Sequence, residues 1–331
     1  MIKTKNSYSR KSTKNRGKET FYYIDGNTGR TLKNNKEVER INKLRIPPGY
    51  HDVLINKDSG HKIQALGYDD KSRKQVIYSR NFRQRQQKKK HRHMITFGKV
   101  LPRIQRKLNK YLKDEVNSKD KLIAIVLSLM QICNFRIGND SYLKEYGTYG
   151  LTTLECRHIT INGNNVKFSF IGKKNVLNED EIKFSKNSVI LSFLKDVKKQ
   201  CRNKKESIFI YVGDDGNEYK LRSSHVNDFL KEFGKNISSK NFRTWSANIC
   251  WLEILRKLDT PENITNAKKN LTESVKYVAE ELHNTPAVAK KEYLNTDVLD
   301  YYLDDNWDSV HKLLNNNKDN DDVYLELLRR V

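Results

Sequence analysis

The chain has 331 residues, enough for two domains, and 64 Lys and Arg residues against 40 Asp and Glu residues give a net charge of +24. Residues 1–100 carry 26 basic and 8 acidic side chains (net +18), whereas the other 231 carry 38 basic and 32 acidic (net +6). This segregation predicts a polyanionic partner, with nucleic acid the first candidate, and the lack of any apolar run of about 18 residues argues against a membrane-spanning protein.

Residues 1–20 are basic and polar and contain no hydrophobic segment, so they are not typical of a secretory signal. We expect them to form a flexible basic arm. The four cysteines are far apart and include no C-x-x-C pair, which predicts reduced thiols in an intracellular protein and neither zinc ligands nor disulfides: Cys133, Cys156, Cys201 and Cys250.

Residues 21–82 are predicted to form a small β-rich domain that clamps DNA. Short apolar runs alternate there with Asp-Gly, Pro-Pro-Gly and other polar turns, and the expected strands are 21–30, 52–56, 62–67 and 74–78. Gln64, Tyr68, Gln75 and Tyr78 carry groups that can contact bases or phosphates, although each alone is also an ordinary surface residue.

A basic run joins this region to the rest of the chain. Residues 80–92 contain seven Lys or Arg side chains in thirteen positions, where the pattern changes from strand-like to helix-like. We place a basic hinge at 83–92 and a larger, mainly α-helical domain at 93–331.

The larger domain has helical periodicity interrupted by a β-hairpin around the Asn162-Gly163 turn. Residues 121–135 are apolar on most faces and predict a central core helix. The other expected elements are helices at 95–112, 189–202, 223–233, 242–258 and 269–282, hairpin strands at 157–161 and 166–171, a strand at 208–212, and a tail helical at 298–313 and 323–330.

Five polar residues occur in contexts that suit a phosphate site. Arg136 follows the core helix, where it either caps carbonyls or points into a pocket, and Arg243 lies at the start of a helix. Lys173 follows the hairpin on an expected mobile loop, and Asn284 and Tyr293 flank a Thr-Pro helix start. Taken singly, each is as typical of packing or a solvated loop.

Together, these residue types suit transesterification at a phosphodiester. Two guanidiniums can hold the non-bridging oxygens and stabilise the extra charge of a five-coordinate state. A tyrosine oxygen can attack phosphorus, and a lysine can protonate the departing 5′-oxygen. The sequence therefore predicts an α+β enzyme with a phosphate site in its larger domain.

The pattern resembles the type IB DNA topoisomerases of the compact poxvirus and bacterial kind, from Arg45 to about Leu299. The blocks that carry the resemblance, in chain order, are Arg45–Val53 (RIPPGYHDV), Gly67–Gln75 (GYDDKSRKQ), Phe135–Gly138 (FRIG) with Tyr142–Lys144 (YLK), Ile171–Lys173 (IGK), Lys240–Thr244 (KNFRT), and Asn284–Val288 (NTPAV) with Tyr293. Several blocks in the right order are far more specific than any one of them.

The resemblance implies a DNA breaking-rejoining fold and relaxation of supercoiled duplex DNA through a 3′-phosphotyrosyl intermediate, without ATP, metal or another cofactor. It implies Tyr293 as nucleophile, Lys173 as general acid, and Arg136 and Arg243 as transition-state clamps. Implied support and DNA-binding residues are Asn284, Lys240 and Asn248 near the site, and Arg73, Lys74, Gln75, Tyr78 and Tyr142 along the DNA.

Two departures from the poxvirus pattern matter. Asn284 stands where those enzymes have histidine, nine residues before the tyrosine, and His283 lies one place earlier. Asparagine can donate a hydrogen bond to a phosphate but cannot carry its proton, and bacterial-type members accept it, so we expect Asn284 to act in this place. Val76 replaces an aromatic residue of the small domain, so the poxvirus cleavage-site preference is not expected to carry over.

The main alternative is a tyrosine recombinase or integrase, which shares the Arg-Lys-Arg-Tyr chemistry. Those enzymes usually carry His-x-x-Arg where this chain has Lys240-Asn-Phe-Arg243, and they act as tetramers, whereas we expect a monomer on double-stranded DNA. A non-catalytic packaging protein would explain the charge but not the ordered residues. The expected location is intracellular: a cytoplasmic viral factory or virion for a viral owner, the nucleoid for a bacterial one.

Overall fold

The computed structural model describes residues 6–15, 18–114, 118–316 and 318–331. The chain divides into two compact units, Met1–Lys90 and His91–Val331. A mainly-β region is thus followed by a mainly helical one, as expected from the sequence. Within the described ranges, no helix is long and apolar enough to cross a membrane.

The N-terminal unit contains one antiparallel sheet with the strand order β2-β1-β3-β4-β5. Helix α1 (Asn35–Lys43), capped by the Asn34 side chain, contributes Ile41 to the small core beneath the sheet. The strands are β1 (Ser7–Asn15), β2 (Lys18–Asp25), β3 (His51–Asn56), β4 (Ile63–Tyr68) and β5 (Lys74–Tyr78).

The expected flexible arm is wrong for the described part of residues 1–20. Strand β1 pairs with both β2 and β3, and Tyr8 is buried in the core of the unit. Arg10 fastens β1 to the Pro-Pro-Gly turn by donating to the carbonyl oxygens of Pro47 (3.0 Å) and Pro48 (3.1 Å). The strand was missed because its buried residues are few and its polar side chains mimic a disordered composition. Residues 1–5 and 16–17 lie outside the described part.

Helix α2 (Arg80–Leu112) includes the boundary between the units and extends the helix expected at 95–112 towards the N-terminus. The segment predicted as a basic hinge, residues 83–92, lies inside it. Lys, Arg and Gln are good helix formers, so a basic run alone does not indicate a break in the helix.

The C-terminal unit is built around helix α3 (Lys119–Cys133), in which every residue from Lys121 to Leu127 is buried. It holds a three-stranded antiparallel sheet, β6-β7-β8, and a short β9-β10 pair. The strands are β6 (Ile159–Asn162), β7 (Asn165–Gly172), β8 (Val176–Lys183), β9 (Ile210–Val212) and β10 (Glu218–Lys220); β8 and β10 had not been predicted. The further helices are α4 (Asp140–Tyr146), α5 (Val189–Gln200), α6 (Ser223–Lys231), α7 (Ser239–Leu255), α8 (Ile264–Glu281), α9 (Pro286–Val288), α10 (Thr296–Tyr301), α11 (Trp307–Asn315) and α12 (Asn320–Arg330).

Cys156 and Cys201 form a disulfide, so the expectation of reduced thiols is wrong for this pair; Cys133 and Cys250 are free. Cys201 caps the C-terminus of α5, and Lys198 of that helix donates to the carbonyl oxygen of Cys156 at 2.7 Å. The fold thereby brings together two residues 45 positions apart, a pairing that the spacing could not reveal.

Candidate active site

A cavity of about 1040 Å³ opens in the C-terminal unit and is lined by all five residues of the predicted phosphate site. These five come from four separate stretches of the chain, which the fold brings to one place. The lining residues are Met130, Arg136, Ile137, Lys173, Lys174, Val176, Leu177, Ser239, Lys240, Arg243, His283, Asn284, Thr285, Ala287, Val288, Lys291, Glu292 and Tyr293.

Tyr293 is placed by an unusual helical segment. Thr285 caps α9 by accepting from the Val288 amide, and Pro286 occupies the first turn, as the sequence predicts. The helix then widens into a π-helical turn, Ala289–Tyr293, closed by the Leu294 amide donating to the Ala289 carbonyl. Such turns are frequent at functional sites because the wider turn redirects the following side chains.

Asn248 of α7 holds the backbone where this turn ends. It is fully buried, its amide donates to the Tyr293 carbonyl oxygen at 3.1 Å, and its side-chain oxygen accepts from the Asn295 amide at 3.0 Å. Asn248 therefore supports the tyrosine from behind without facing the cavity.

Asn284 is aimed by the end of helix α8. The Asn284 amide donates to the Ala279 carbonyl and the His283 amide to that of Glu280, which is the paired pattern of a Schellman motif. His283 takes the left-handed conformation of this motif, with φ +48°. The chain reverses there, and the Asn284 side chain enters the cavity.

Arg136 leaves the core helix through a tightly packed loop. Asn134, with φ +53°, ends α3, and the Arg136 carbonyl accepts from the Leu151 amide at 2.9 Å. Gly138 and Gly150 lie so close that a Cβ on Gly150 would come within 2.5 Å of the Gly138 nitrogen. Of the two roles left open for Arg136, delivery into a pocket is the one observed.

The Arg136 guanidinium contacts two predicted site residues, Asn284 and Tyr293. Its Nη2 donates to Asn284 Oδ1 at 3.0 Å and lies 3.4 Å from the Tyr293 hydroxyl. One guanidinium thus reaches the phenol and the amide that the sequence placed in one site.

Arg243 lies over the ring of Tyr293 and is only 3 % exposed. Its guanidinium carbon is 5.1 Å from the centroid of the Tyr293 ring, and one nitrogen donates to the Leu282 carbonyl oxygen. Within the described ranges, its Nε and Nη1 have no hydrogen-bond partner. Burial, together with repulsion from Arg136, lowers the pKa of Arg243 to about 10, so the group still carries its charge at neutral pH.

The two arginines change the acidity of the phenol. Burial raises the pKa of Tyr293, but the positive charges of Arg243 and Arg136 lower it by more, so the net pKa lies below the ordinary value of 10.0. A phenol with a lowered pKa is a better source of the nucleophilic phenolate.

The two lysines that the sequence predicted for the site, Lys173 and Lys240, are exposed and line the cavity. Lys173 begins a one-turn 3₁₀ segment, Lys173–Asn175, between β7 and β8, and Lys240 lies in the first turn of α7. The preceding Gly172 is required by packing, because a Cβ there would meet the Asn178 amide at 2.4 Å. Lys173 lies at the tip of the β7–β8 hairpin and borders the cavity that Tyr293 also lines.

This arrangement can bind a tetrahedral oxyanion between two guanidiniums, with a phenol oxygen beside it and an ammonium at the rim. Among the described residues, no group of three or more His, Cys, Asp or Glu side chains could hold a metal ion. The two guanidiniums, the phenol and the ammonium groups are side chains that suit phosphoryl transfer by charge stabilisation and proton donation.

The residues proposed to bind DNA lie elsewhere. Arg73 and Gln75 both donate to Asp69 Oδ2 at 2.9 Å. The pKa of Asp69 is lowered to about 2, and the largest cause is the hydrogen bond from Arg73. The Tyr78 ring packs on Phe82 with 4.9 Å between centroids. The remaining two are Lys74, exposed on β5, and Tyr142, 55 % exposed on α4 and 5.8 Å from the Tyr146 ring.

Two polar contacts around the site had not been expected. Asp180 Oδ2 of β8 lies 3.2 Å from His283 Nε2. The side-chain nitrogen of Asn295, beside the Tyr293 turn, lies 3.2 Å from His91 Nδ1. Neither Asp180 nor Asn295 belongs to a motif with a recognisable spacing, so no sequence signal could have found them.

Comparisons with known proteins give one consistent family. The model of the eukaryotic DNA topoisomerase I catalytic core matches residues 79–318, and that of the bacterial DNA topoisomerase IB N-terminal domain matches residues 20–69. The chain is 29% identical to DNA topoisomerase 1B of Acanthamoeba polyphaga mimivirus over 290 residues, covering 85% of this chain and 84% of that protein. It is 25% identical to DNA topoisomerase 1B of vaccinia virus over 278 residues, covering 82% and 84%.

Proposed function

The chain belongs to the type IB DNA topoisomerase family, and we propose that it relaxes supercoiled duplex DNA by joining Tyr293 transiently to a DNA 3′-phosphate. The observation that carries this mechanism is that the guanidiniums of Arg136 and Arg243 both lie against Tyr293, one 3.4 Å from its hydroxyl and the other with its carbon 5.1 Å from the ring centroid. Arg243 has two buried nitrogen atoms without a partner in the described residues, and an anionic phosphate oxygen would satisfy them.

In the proposed cleavage step, the Tyr293 oxygen forms a bond to phosphorus as the bond from phosphorus to the 5′-oxygen breaks. The two guanidiniums balance the charge of the five-coordinate state, and the Asn284 amide donates to a non-bridging oxygen. Lys173 gives its proton to the departing 5′-oxygen, and Lys240, at the same rim, takes part in proton movement. The phenol proton is lost to solvent as the phenolate forms.

Religation is the reverse reaction, in which the 5′-hydroxyl attacks the phosphotyrosine and returns the proton to Lys173. One phosphodiester is exchanged for another, so no ATP is needed for the energy balance, and in the proposed mechanism the two guanidiniums supply the positive charge that a metal ion could otherwise provide. While the strand is open, its free 5′-end swivels about the intact strand and releases supercoils.

We propose that the chain, as a monomer with the breaking-rejoining fold of the family, binds double-stranded DNA. The basic N-terminal region supplies backbone contacts, and Arg73, Lys74, Gln75, Tyr78 and Tyr142 are the proposed contact residues. The viral relatives suit a place of action in a viral factory or virion.

The direct test is relaxation of negatively supercoiled plasmid by the full chain in EDTA and without ATP. We expect complete relaxation and a covalent protein–DNA adduct after denaturant quench. Tyr293→Phe should bind DNA yet form no adduct, whereas Tyr277→Phe, which changes a half-buried tyrosine of α8 outside the cavity, should behave as wild type.

Three results would contradict the proposal. An adduct in Tyr293→Phe would reject the nucleophile, and activity only on paired specific sites would indicate a recombinase. Unchanged plasmid topology would indicate a protein that binds DNA without cleaving it.

A further inference from the structure

We infer that His283 is a positioning residue, whose imidazole sets the Lys173 hairpin against the segments that carry Arg136 and Asn284. This inference rests on the proposed function, because it concerns the geometry of the same transesterification site. His283 is adjacent in sequence to the candidate phosphate donor Asn284, yet its side chain is directed to a different partner.

The first contact is with the hairpin. His283 Nε2 lies 3.2 Å from Asp180 Oδ2, so an N–H at Nε2 donates to the carboxylate. Asp180 belongs to β8, which starts at Val176 directly after the Lys173–Asn175 turn and pairs with β7 throughout. A bond to Asp180 thus restrains the strand that follows the turn of the proposed acid, Lys173, and that pairs with the strand before it.

The second contact is with the Arg136 segment. The imidazole stacks on the Phe135 ring, with centroids 5.8 Å apart and planes inclined by 28°. Phe135 is fully buried and packs edge-on against Phe168 and Phe170 of β7, at 5.6 and 4.9 Å. Phe135, the residue before Arg136, therefore contacts both the imidazole of His283 and strand β7 of the same hairpin.

The backbone conformation also points to a side-chain role. His283 has φ +48°, a left-handed conformation that is strained for a residue with a Cβ and that glycine adopts freely. Glycine would close the Schellman motif with less strain, whereas histidine there adds the contacts to Asp180 and Phe135. Strain kept at a functional site is explained when the side chain supplies something that glycine cannot.

His283→Gly is the decisive variant, because it removes the imidazole while glycine adopts the positive φ of this position without strain. Single-turnover cleavage is measured on an ordinary duplex and on one with a 5′-bridging sulfur, whose leaving group needs no proton. We expect about a tenfold to hundredfold loss on the ordinary substrate, the size typical of misplaced catalytic groups, and a clearly smaller loss with sulfur. Combined with Lys173→Ala, the two losses should be less than additive.

Asp180→Ala should reproduce the effect of His283→Gly. Its matched control is Glu179→Ala on the same strand, which breaks the exposed ion pair to Lys167 (2.6 Å) and should leave cleavage unchanged. Thermal melting and DNA binding of each variant report folding separately from the cleavage rates.

Wild-type rates in His283→Gly on both substrates would overturn the inference and assign the residue to the turn alone. Equal losses on both substrates would also overturn it, because His283 would then act on the phosphate or on the fold in general. If the wild-type chain forms no Tyr293 adduct, the proposed function itself fails, an outcome distinct from normal cleavage by the His283 variant.

Discussion

The side-chain amide of Asn248 donates to the main-chain carbonyl of Tyr293 across 3.1 Å, while its oxygen accepts from the amide two residues further on. One buried side chain thus holds the backbone directly after the proposed nucleophile, on either side of Leu294. The bond fixes where the phenol starts from, although Asn248 is not among the residues that line the cavity.

Asn248→Ala should therefore slow cleavage about tenfold to hundredfold while DNA binding is retained, because misplacing a reacting group by about 1 Å has effects of this size. It should also lower the free energy of unfolding by about 1–3 kcal/mol through unpaired backbone groups. Single-turnover cleavage and urea unfolding measure the two effects. Ser274→Ala, which removes a buried hydroxyl bonded to the Asn270 carbonyl on α8, should lower stability only. An unchanged rate in Asn248→Ala would reject the positioning role.

Gly150→Ala should displace the Arg136 loop, because the new Cβ would lie 2.5 Å from the Gly138 nitrogen and 2.7 Å from the Arg136 carbonyl oxygen. We expect a loss of about 1–3 kcal/mol of stability and slower cleavage. Gly163→Ala is the control: its φ is +60° and nothing lies within 4 Å of the added Cβ, so it should cost about 1–2 kcal/mol without changing the cleavage rate. Equal cleavage by both variants would show that the loop geometry does not matter.

Lys173→Ala should lower the cleavage rate about a hundredfold or more on an ordinary 5′-oxygen, the range expected for loss of a general acid. With a 5′-bridging sulfur the loss should nearly vanish, because a thiolate leaves without a proton. Lys174→Ala, at the neighbouring exposed position of the same turn, is the natural control and should show no such difference between substrates. A Lys173→Ala loss of equal size on both substrates rules out proton donation.

Cleavage should depend on pH through the phenol. Since Arg243 and Arg136 lower the pKa of Tyr293 below 10.0, the rate should rise with pH and level off at a lower pH than an unperturbed tyrosine would give. Arg136→Gln removes one of the charges that stabilise the phenolate, so its inflection should move to higher pH. On the substrate with a 5′-bridging sulfur, cleavage needs no proton from Lys173, so the ionisation of Lys173 does not contribute to the pH dependence of the rate. Arg157→Gln, an exposed arginine paired with Glu155, should leave the inflection in place; no shift in Arg136→Gln would contradict the electrostatic coupling.

Local patterns in the sequence were enough to locate many elements. The apolar run at 121–135, the Asn162-Gly163 turn and the Thr285-Pro286 pair each coincide with the predicted element, because burial on all faces, a two-residue hairpin turn and helix capping are set by neighbouring residues. Strand β1 was missed because its pairing partners, and not its own composition, make it a strand.

The sequence by itself determined which reactive side chains are present: a tyrosine, two arginines, a lysine and an asparagine in ordered blocks. It also showed that the positive charge is concentrated near the N-terminus. Only the tertiary structure decided how these residues meet. Arg136 and Tyr293 are 157 positions apart, and their contact depends on the Gly138–Gly150 approach and on the π-helical turn held by Asn248. Likewise, the sequence alone could not show which of His283 and Asn284 faces the phosphate site. In the fold, His283 bonds to Asp180 and Asn284 accepts from Arg136. Such contacts join distant parts of the chain, so they follow from the packing of whole elements and from no local pattern.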